Sequence, residues 1–399
     1  MKVLVVQETD WIRNLPLQTH QIMEFLSKIG HEVRVVDFEA NWESGNKTVS
    51  LRSRQFLDIH RTDKEASVRV FRPGMLKLSG ISRLSSWMPQ FKVIFEQMVS
   101  WCDIVVLYSV PTNGVQTILS SRLLSKPVIF HSYDVLHRMT GHSFLRAPTW
   151  MLERFVCRRA NKIVVISAAL ANYMRDIGVP AQKVVLIPPA VDTYKFNPSV
   201  DGRGIRRELG IRDDEKVALF SGWLYDFCGI DLVFRAIEDL AQNIPRFRLV
   251  VCGDGPLLDT LVRLRAELGI ERYVCLLGRR PFDDMPGIVA GADVCINPYL
   301  PDVRSIFAFP SKIAEYMAAG KSVIATNLDG TESILGKSSG AILVSPERFA
   351  DAIRSVMTDD DLRQKLAEQC RNFCLDNFSL QLIAQRFENV LTETIASPY

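Results

Sequence analysis

Short apolar runs alternate with longer segments whose apolar positions recur at helical spacing, and they do so along the whole chain. In the first half the runs are Val3–Val6, Val33–Val36, Ile104–Leu107, Val128–Phe130, Ile163–Ile166 and Val184–Ile187. In the second they are Val217–Phe220, Leu249–Cys252, Val274–Leu277, Val294–Asn297, Ser322–Ala325 and Ala341–Val344. Runs that are apolar throughout, rather than at every second position, predict strands of parallel sheets covered by helices on both faces. Two doubly wound α/β domains follow. The join is expected near Pro188–Asn197 (PPAVDTYKFN), which is proline-rich and aperiodic. The expected domains are therefore 1–190 and 191–376. Residues 377–399 form a last segment, in which Asn377–Ile395 is helical after a break. Ligands of such folds sit beyond the carboxyl ends of the strands, so the expected site is a cleft between the two domains.

Composition narrows the class. The chain has 399 residues, 47% hydrophobic and 23% charged, with a formal net charge of +3. That balance is ordinary for a globular protein and does not argue for nucleic acid. The eight cysteines form no CxxC pair, and several lie inside apolar runs, which reads as buried free thiols. No histidine or further cysteine joins Cys370 and Cys374 in a metal set. The opening MKVLVV predicts a strand rather than a secretion leader, and no apolar run nears the ~20 residues that span a bilayer. The expectation is a cytoplasmic protein, with any membrane contact peripheral.

The chemistry gathers in Pro310–Thr326, PSKIAEYMAAGKSVIAT. A proline at the first helical position and Gly320 just past the last predict a short helix, followed at once by a strand. Free N–H groups at such a helix start attract phosphate, and Glu315, further in, is suited to hold a ribose. This stretch resembles the nucleotide-sugar site of glycosyltransferase family 4, retaining enzymes of the GT-B fold. The likeness covers nearly the whole chain and is strongest from Ala160 to Leu335. It includes ANKIVVISAALANYM (Ala160–Met174), where Ser167 is a candidate N-cap. It also includes KVVLIPPAVDTYKF (Lys183–Phe196), where Asp192 reads as a turn acid. The resemblance implies a GT-B architecture whose final helix crosses back onto the first domain. It implies a nucleotide diphosphate sugar (UDP- or GDP-linked) as donor substrate, with no cofactor or metal, and a glycan or lipid-linked acceptor. Phe309, Pro310 and Ser311 fall on the donor-binding helix start. Gly253 in LVVCGDGP (Leu249–Pro256) lines the nucleotide pocket or forms a plain turn. Arg279 or Arg280 in LGRRP is a candidate to stack on the base or reach phosphate, or is a solvated arginine.

The chain departs from the family at three places. An arginine is usual just after the first glycine of the second domain, and a lysine soon follows. Here Gly222 is followed by Trp223, and Cys228 precedes Gly229. Two glutamates eight positions apart are usual, and Phe307 stands where the first would be. The diphosphate still needs a cation, because stabilising the leaving group's charge is the main catalytic task. Lys312 and Arg304 are the candidates. Lysine at a helix start opposes the dipole, which fits a place beside an anion; the alternative is a surface pair with Glu315.

In the first domain, KPVIFHSYDVLH (Lys126–His137) offers His131, Tyr133, Asp134 and His137. The family's histidine at this strand end faces the donor sugar; here His131 comes two residues early and Tyr133 takes the expected place. His131 and Tyr133 should share a strand face. His131 and Asp134 are the catalytic candidates beside Lys312, with Tyr133 and His137 lining the cleft; satisfied structural histidines are the alternative. Arg13 and Asn14 replace the family's glycine pair after the first strand, and Arg13 is a further candidate for a compensating charge. Residues 66–95 interleave Arg69, Arg72, Lys77, Arg83 and Lys92 with aromatic and apolar residues and contain no acid. That stretch reads either as a surface for anionic membrane or as an acceptor loop packed on its own domain. The rival functions are a sugar-nucleotide epimerase on the same fold and an inactive transferase-like binding subunit.

Overall fold

The computed structural model describes residues 1–39, 52–77, 82–108, 112–140 and 143–397. The chain forms two compact units, Met1–Pro188 with Ile383–Tyr399, and Pro189–Leu382.

The first unit holds a sheet of eight strands: β1 (Lys2–Val6), β2 (Glu32–Val36), β3 (Arg54–Ile59), β4 (Val68–Arg72), β5 (Ile104–Leu107), β6 (Val128–Ser132), β7 (Lys162–Val165) and β8 (Val184–Leu186). Their order is β3-β4-β2-β1-β5-β6-β7-β8. All neighbours are parallel except β3 and β4. The central strands are buried along their whole length, as continuous apolar runs require. β3 and β4, RQFLDI and VRVFR, carry charged residues at several positions and escape an apolar-run reading. Ser167 caps its helix by accepting from Leu170 N at 3.1 Å. The last helix, Leu380–Ala396, is anchored in this unit by Glu388 on His31 at 2.8 Å and by Phe387 beside the His131 ring at 5.3 Å.

The second unit holds β9 (Lys216–Ser221), β10 (Phe247–Cys252), β11 (Val274–Gly278), β12 (Val294–Asn297), β13 (Ser322–Thr326) and β14 (Ile342–Val344), all parallel, in the order β11-β10-β9-β12-β13-β14. One face of its sheet packs a core around Phe220, Phe234, Ile296 and Ile324. The linker's Val191 bridges to Ser379, where the Asp360–Phe378 helix breaks. Asp192 is a turn acid, accepting from Tyr194 N and Lys195 N at 3.0 and 3.1 Å. No helix among the described residues is long and apolar enough to cross a membrane.

Candidate functional site

In the second unit, β9 and β10 end in turns that require glycine. Gly222 has φ +128°, and its N–H donates to Cys252 O at 2.8 Å. A Cβ on Gly253 would stand 1.9 Å from Gly222 O, and one on Gly255 2.7 Å from Leu224 O. The glycines of GDG thus let two turns stack directly at the sheet's carboxyl edge. Gly253 belongs to this packing whether or not a ligand lies above it. Arg280 is paired with Glu208 and so is not a free cation.

The helix predicted from PSKIAEYMAAG spans Ser311–Ala318. Pro310 is its N-cap rather than its first helical residue, with ψ 118°, and Ile313 N donates back to Pro310 O at 3.0 Å. Gly320 follows its end at φ +65°. Tyr316 fixes the helix to β9. Its hydroxyl accepts from Ser221 N at 2.7 Å and lies 2.9 Å from Ser221 Oγ. Lys312 is one turn nearer the helix start on the same face. It therefore meets the residue after Ser221, which is Gly222. Lys312 Nζ donates to the Tyr299 hydroxyl at 3.2 Å and sits 4.0 Å from the centre of the Phe220 ring. Burial among these groups lowers the Lys312 pKa to about 7. Glu315, three residues on and partly buried, is pushed up to about 7 by burial, with the Lys312 charge pulling the other way. A lysine seated by its own helix, by Phe220 of β9 and by Tyr299 after β12 against a bare glycine is a built cation, not a surface one. Lys312 stands out in the sequence, whereas Tyr299, Phe220 and the Tyr316–Ser221 bond carry no sequence signal that points to this seat. Of that seat, only the spacing of Lys312 and Tyr316 on one helix face was legible.

Arg304 is differently placed. Its guanidinium donates to Asp302 at 2.7 Å and Asp226 at 2.9 Å and lies 4.6 Å from the Phe227 ring centre. It ties the loop after β12 to the loop after β9, and its charge is already balanced. Trp223, in the family's arginine position, is 46% exposed. Phe309 is buried with its ring 5.5 Å from that of Phe378, so it supports the helix start, while Ser311 is exposed. Phe307 precedes a close approach: Gly330 N donates to Ile306 O at 2.8 Å, and a Cβ on Gly330 would lie 2.7 Å from Phe307 O.

In the first unit the expected cluster divides. His131 and Tyr133 share a face, with rings 4.5 Å apart, and His131 Nδ1 lies 3.3 Å from the Tyr108 hydroxyl. His131 is wholly buried, burial lowers its pKa to about 3, and Nε2 finds no hydrogen-bond partner among the described residues. It is a neutral, inward histidine. Asp134, partly buried, is raised to about 6 by burial. His137 belongs to another group, its Nδ1 3.0 Å from Glu153 Oε2, which also accepts from the Tyr173 hydroxyl at 3.0 Å. Glu153, fully buried, holds the turn through Leu136 N as well. His137 is thus a satisfied structural histidine.

After β1, Asp10 organises the loop: its carboxylate accepts from Arg13 N at 2.9 Å, and its backbone oxygen from Asn14 N at 3.2 Å. Arg13 is half exposed, 3.9 Å from Glu39. Arg72 bridges Asp10 and Asp37 at 2.5 Å each, and Lys77 pairs with Glu39 at 3.1 Å, all buried. Of the two readings of 66–95, these buried pairs favour a stretch packed on its own domain over a basic surface. Two of its five cations are internal, and Lys92 is 3.9 Å from Glu96 just beyond the stretch. Residues 78–81 and the side chains of Arg83 and Leu84 lie outside the described residues. Among the described residues no three His, Cys, Asp or Glu side chains gather as a metal set.

Two family models match, one for each half. "Glycosyltransferase Family 4" matches residues 17–195 and "Glycosyl transferases group 1" matches residues 202–373. The D-inositol 3-phosphate glycosyltransferase of Corynebacterium aurimucosum is 30% identical over 226 residues, 53% of this chain and 52% of that protein. The chain thus spans about half the length of the inositol-phosphate relatives it matches. A longer match is to the UDP-Gal:alpha-D-GlcNAc-diphosphoundecaprenol alpha-1,3-galactosyltransferase of Escherichia coli, 22% identical over 89% of this chain and 95% of that protein. Among solved structures, Anabaena HepE in complex with UDP and glucose superposes with a TM-score of 0.76 at 18% identity, covering 98% of this chain and 100% of that one. Sucrose-phosphate synthase from Thermosynechococcus elongatus gives 0.77 at 17% identity, with 99% of each chain covered. These likenesses show the GT-B fold.

Proposed function

The chain belongs to glycosyltransferase family 4, and from that premise we propose that it moves a hexose from a nucleotide diphosphate sugar to a hydroxyl acceptor with retention of configuration. The observation that carries this reading is Lys312 Nζ, held against Gly222 at the carboxyl edge of β9. The family's arginine and lysine are absent from the loop after β9, at Trp223 and Cys228. Lys312 restores a cation to that same edge from the neighbouring helix.

In this reading the Ser311–Ala318 helix start and Lys312 receive the diphosphate. Glu315 accepts hydrogen bonds from the ribose hydroxyls. An acceptor oxygen bonds to the sugar's anomeric carbon on the face from which the phosphate departs. The bond from that carbon to the phosphate oxygen breaks, and the acceptor's proton passes to the leaving phosphate. No strong protein base is needed, which accords with a His131 that is buried and neutral. An anion approaching Lys312 raises its pKa, so the ammonium is charged when the leaving group needs it.

The donor of the Escherichia coli relative, UDP-galactose by its name, and the UDP and glucose bound to Anabaena HepE favour a UDP-linked donor. The diphosphoundecaprenol in that relative's name favours a lipid-linked acceptor. A thermal-shift screen of UDP-, GDP- and ADP-sugars selects the donor, because a ligand that binds only the folded protein raises Tm. Incubation of the selected donor with a lipid-linked glycan acceptor then tests transfer. Release of nucleoside diphosphate with a new glycoside is expected. Interconversion of two donor sugars would support the epimerase instead, and binding without turnover the inactive subunit.

A further inference from the structure

The backbone that follows Gly222 is pinned. Leu224 is fully buried, its N–H donates to Asp254 O at 2.8 Å, and its carbonyl accepts from Leu257 N at 3.1 Å. Between Gly222 and this anchor stands Trp223, whose side chain is 46% exposed. An indole held in water forgoes the gain of burial. Behind it the rings of the same loop continue in a row. Trp223 meets Tyr225 edge-on at 6.5 Å, Tyr225 stacks on Phe227 at 4.7 Å, and the Arg304 guanidinium lies 4.6 Å from the Phe227 ring centre. Arg304 in turn bonds Asp226, beside that row, and Asp302, in the loop after β12. The two loops are thus tied together, and Trp223 on one and Val303 on the other are left exposed.

We infer that Trp223 is the platform on which the donor's hexose stacks, an inference that rests on Lys312 as the cation of the diphosphate. Glu315 lies one turn further into the helix than Lys312. The ribose end of the donor therefore runs along the helix, and the hexose continues past the helix start. There it meets the loops that follow β9 and β12. On the β9 loop the residue next to the seat of Lys312 is Trp223. The face of an indole carries negative charge density, so Trp223 repels phosphate and does not take the diphosphate itself. The same face attracts C–H groups made positive by neighbouring oxygens, and a pyranose ring presents such groups as a patch. Arg304 adds no free cation on the hexose side, since Asp226 and Asp302 hold it. Stacking on the sugar buries the indole, and the ring row behind Trp223 keeps it in place.

Calorimetric titration of the parent, Trp223→Ala and Trp223→Phe tests this, with UDP against UDP-glucose and UDP-galactose, and GDP against GDP-mannose. The parent is expected to bind one of the two sets. Trp223→Ala should weaken the sugar nucleotide of that set about tenfold, and the free nucleotide by less than about twofold. Trp223→Phe keeps a ring and should recover most of the lost affinity. Tryptophan fluorescence gives a second reading. The sugar nucleotide should quench the parent more than the free nucleotide does, and Trp223→Phe should abolish that difference. If Trp223→Ala lowers Tm, the quenching and Trp223→Phe decide. Equal losses for nucleotide and sugar nucleotide, or variants that bind both like the parent, would overturn the inference and leave the donor reading standing. A parent that binds neither set would overturn both.

Discussion

The ammonium of Lys312 lies against Gly222, so near that a methyl group on that glycine would meet Nζ at 2.6 Å. Helical spacing produces this relationship. Tyr316 bonds the last residue of β9, and Lys312, four residues earlier, reaches the residue beyond it. The loop after β9 has no cation of its own at the two family positions, and the glycine leaves room for one from the next helix.

Gly222→Ala therefore acts on a lysine 90 residues away in sequence. The substitution adds a Cβ at φ +128° and displaces the ammonium. Affinity for nucleoside diphosphate is expected to fall about tenfold or more, with nucleoside affinity kept. Titration calorimetry with both ligands reads the difference; equal losses for the two would point to general damage of the turn.

Arg304→Ala is expected to leave diphosphate affinity within about threefold of the parent, because Asp302 and Asp226 already hold the guanidinium. The pairs are partly exposed, so the stability loss should be about 1 kcal/mol or less. A large loss of affinity would show that the ligand draws Arg304 out of its pairs.

The Lys312–Glu315 pair should shape the stability of the ligand-free protein. Lys312 falls from 10.5 to about 7, so between those values the unfolded chain holds a proton the native one lacks, and stability rises with pH. Glu315 rises from 4.5 to about 7, so between those values the native chain holds the extra proton, and stability falls as pH rises. Denaturant unfolding across pH should show both slopes. Lys312→Met should lose the upward slope above pH 7 and gain about 1 kcal/mol or more at pH 7, roughly 2–4 °C per kcal/mol in Tm. A variant less stable than the parent at that pH would contradict a strained, buried lysine.

Glu153→Ala should destabilise the first unit by about 3 kcal/mol or more, because Leu136 N, His137 and the Tyr173 hydroxyl lose one buried acceptor. Thermal unfolding checks the loss. Donor affinity should be unchanged, which separates His137 from the donor chemistry.

The fold was legible where burial on both faces makes a strand apolar throughout, as in β1, β5 and β12. β3 and β4 were not, because charged positions interrupt them. Lys312 and Glu315 were legible from local helix chemistry. The seat of Lys312 was not, because Phe220, Gly222 and Tyr299 come from other elements and only the tertiary fold assembles them. Likewise the burial of Arg72 and Lys77 was not legible, since their carboxylates at Asp10, Asp37 and Glu39 are remote in sequence.

The central claim is that Lys312 supplies the cation for the donor's diphosphate, and calorimetric titration of UDP and GDP into the parent and Lys312→Met tests it most directly. The predicted result is that the parent binds one of them, with affinity falling as pH rises above about 7, where the free ammonium loses its proton. Lys312→Met should bind that nucleotide more weakly by about 2–3 kcal/mol, roughly 30- to 150-fold, and should lose the pH dependence. Parent-like affinity in a folded Lys312→Met variant, with the pH dependence intact, would contradict the account.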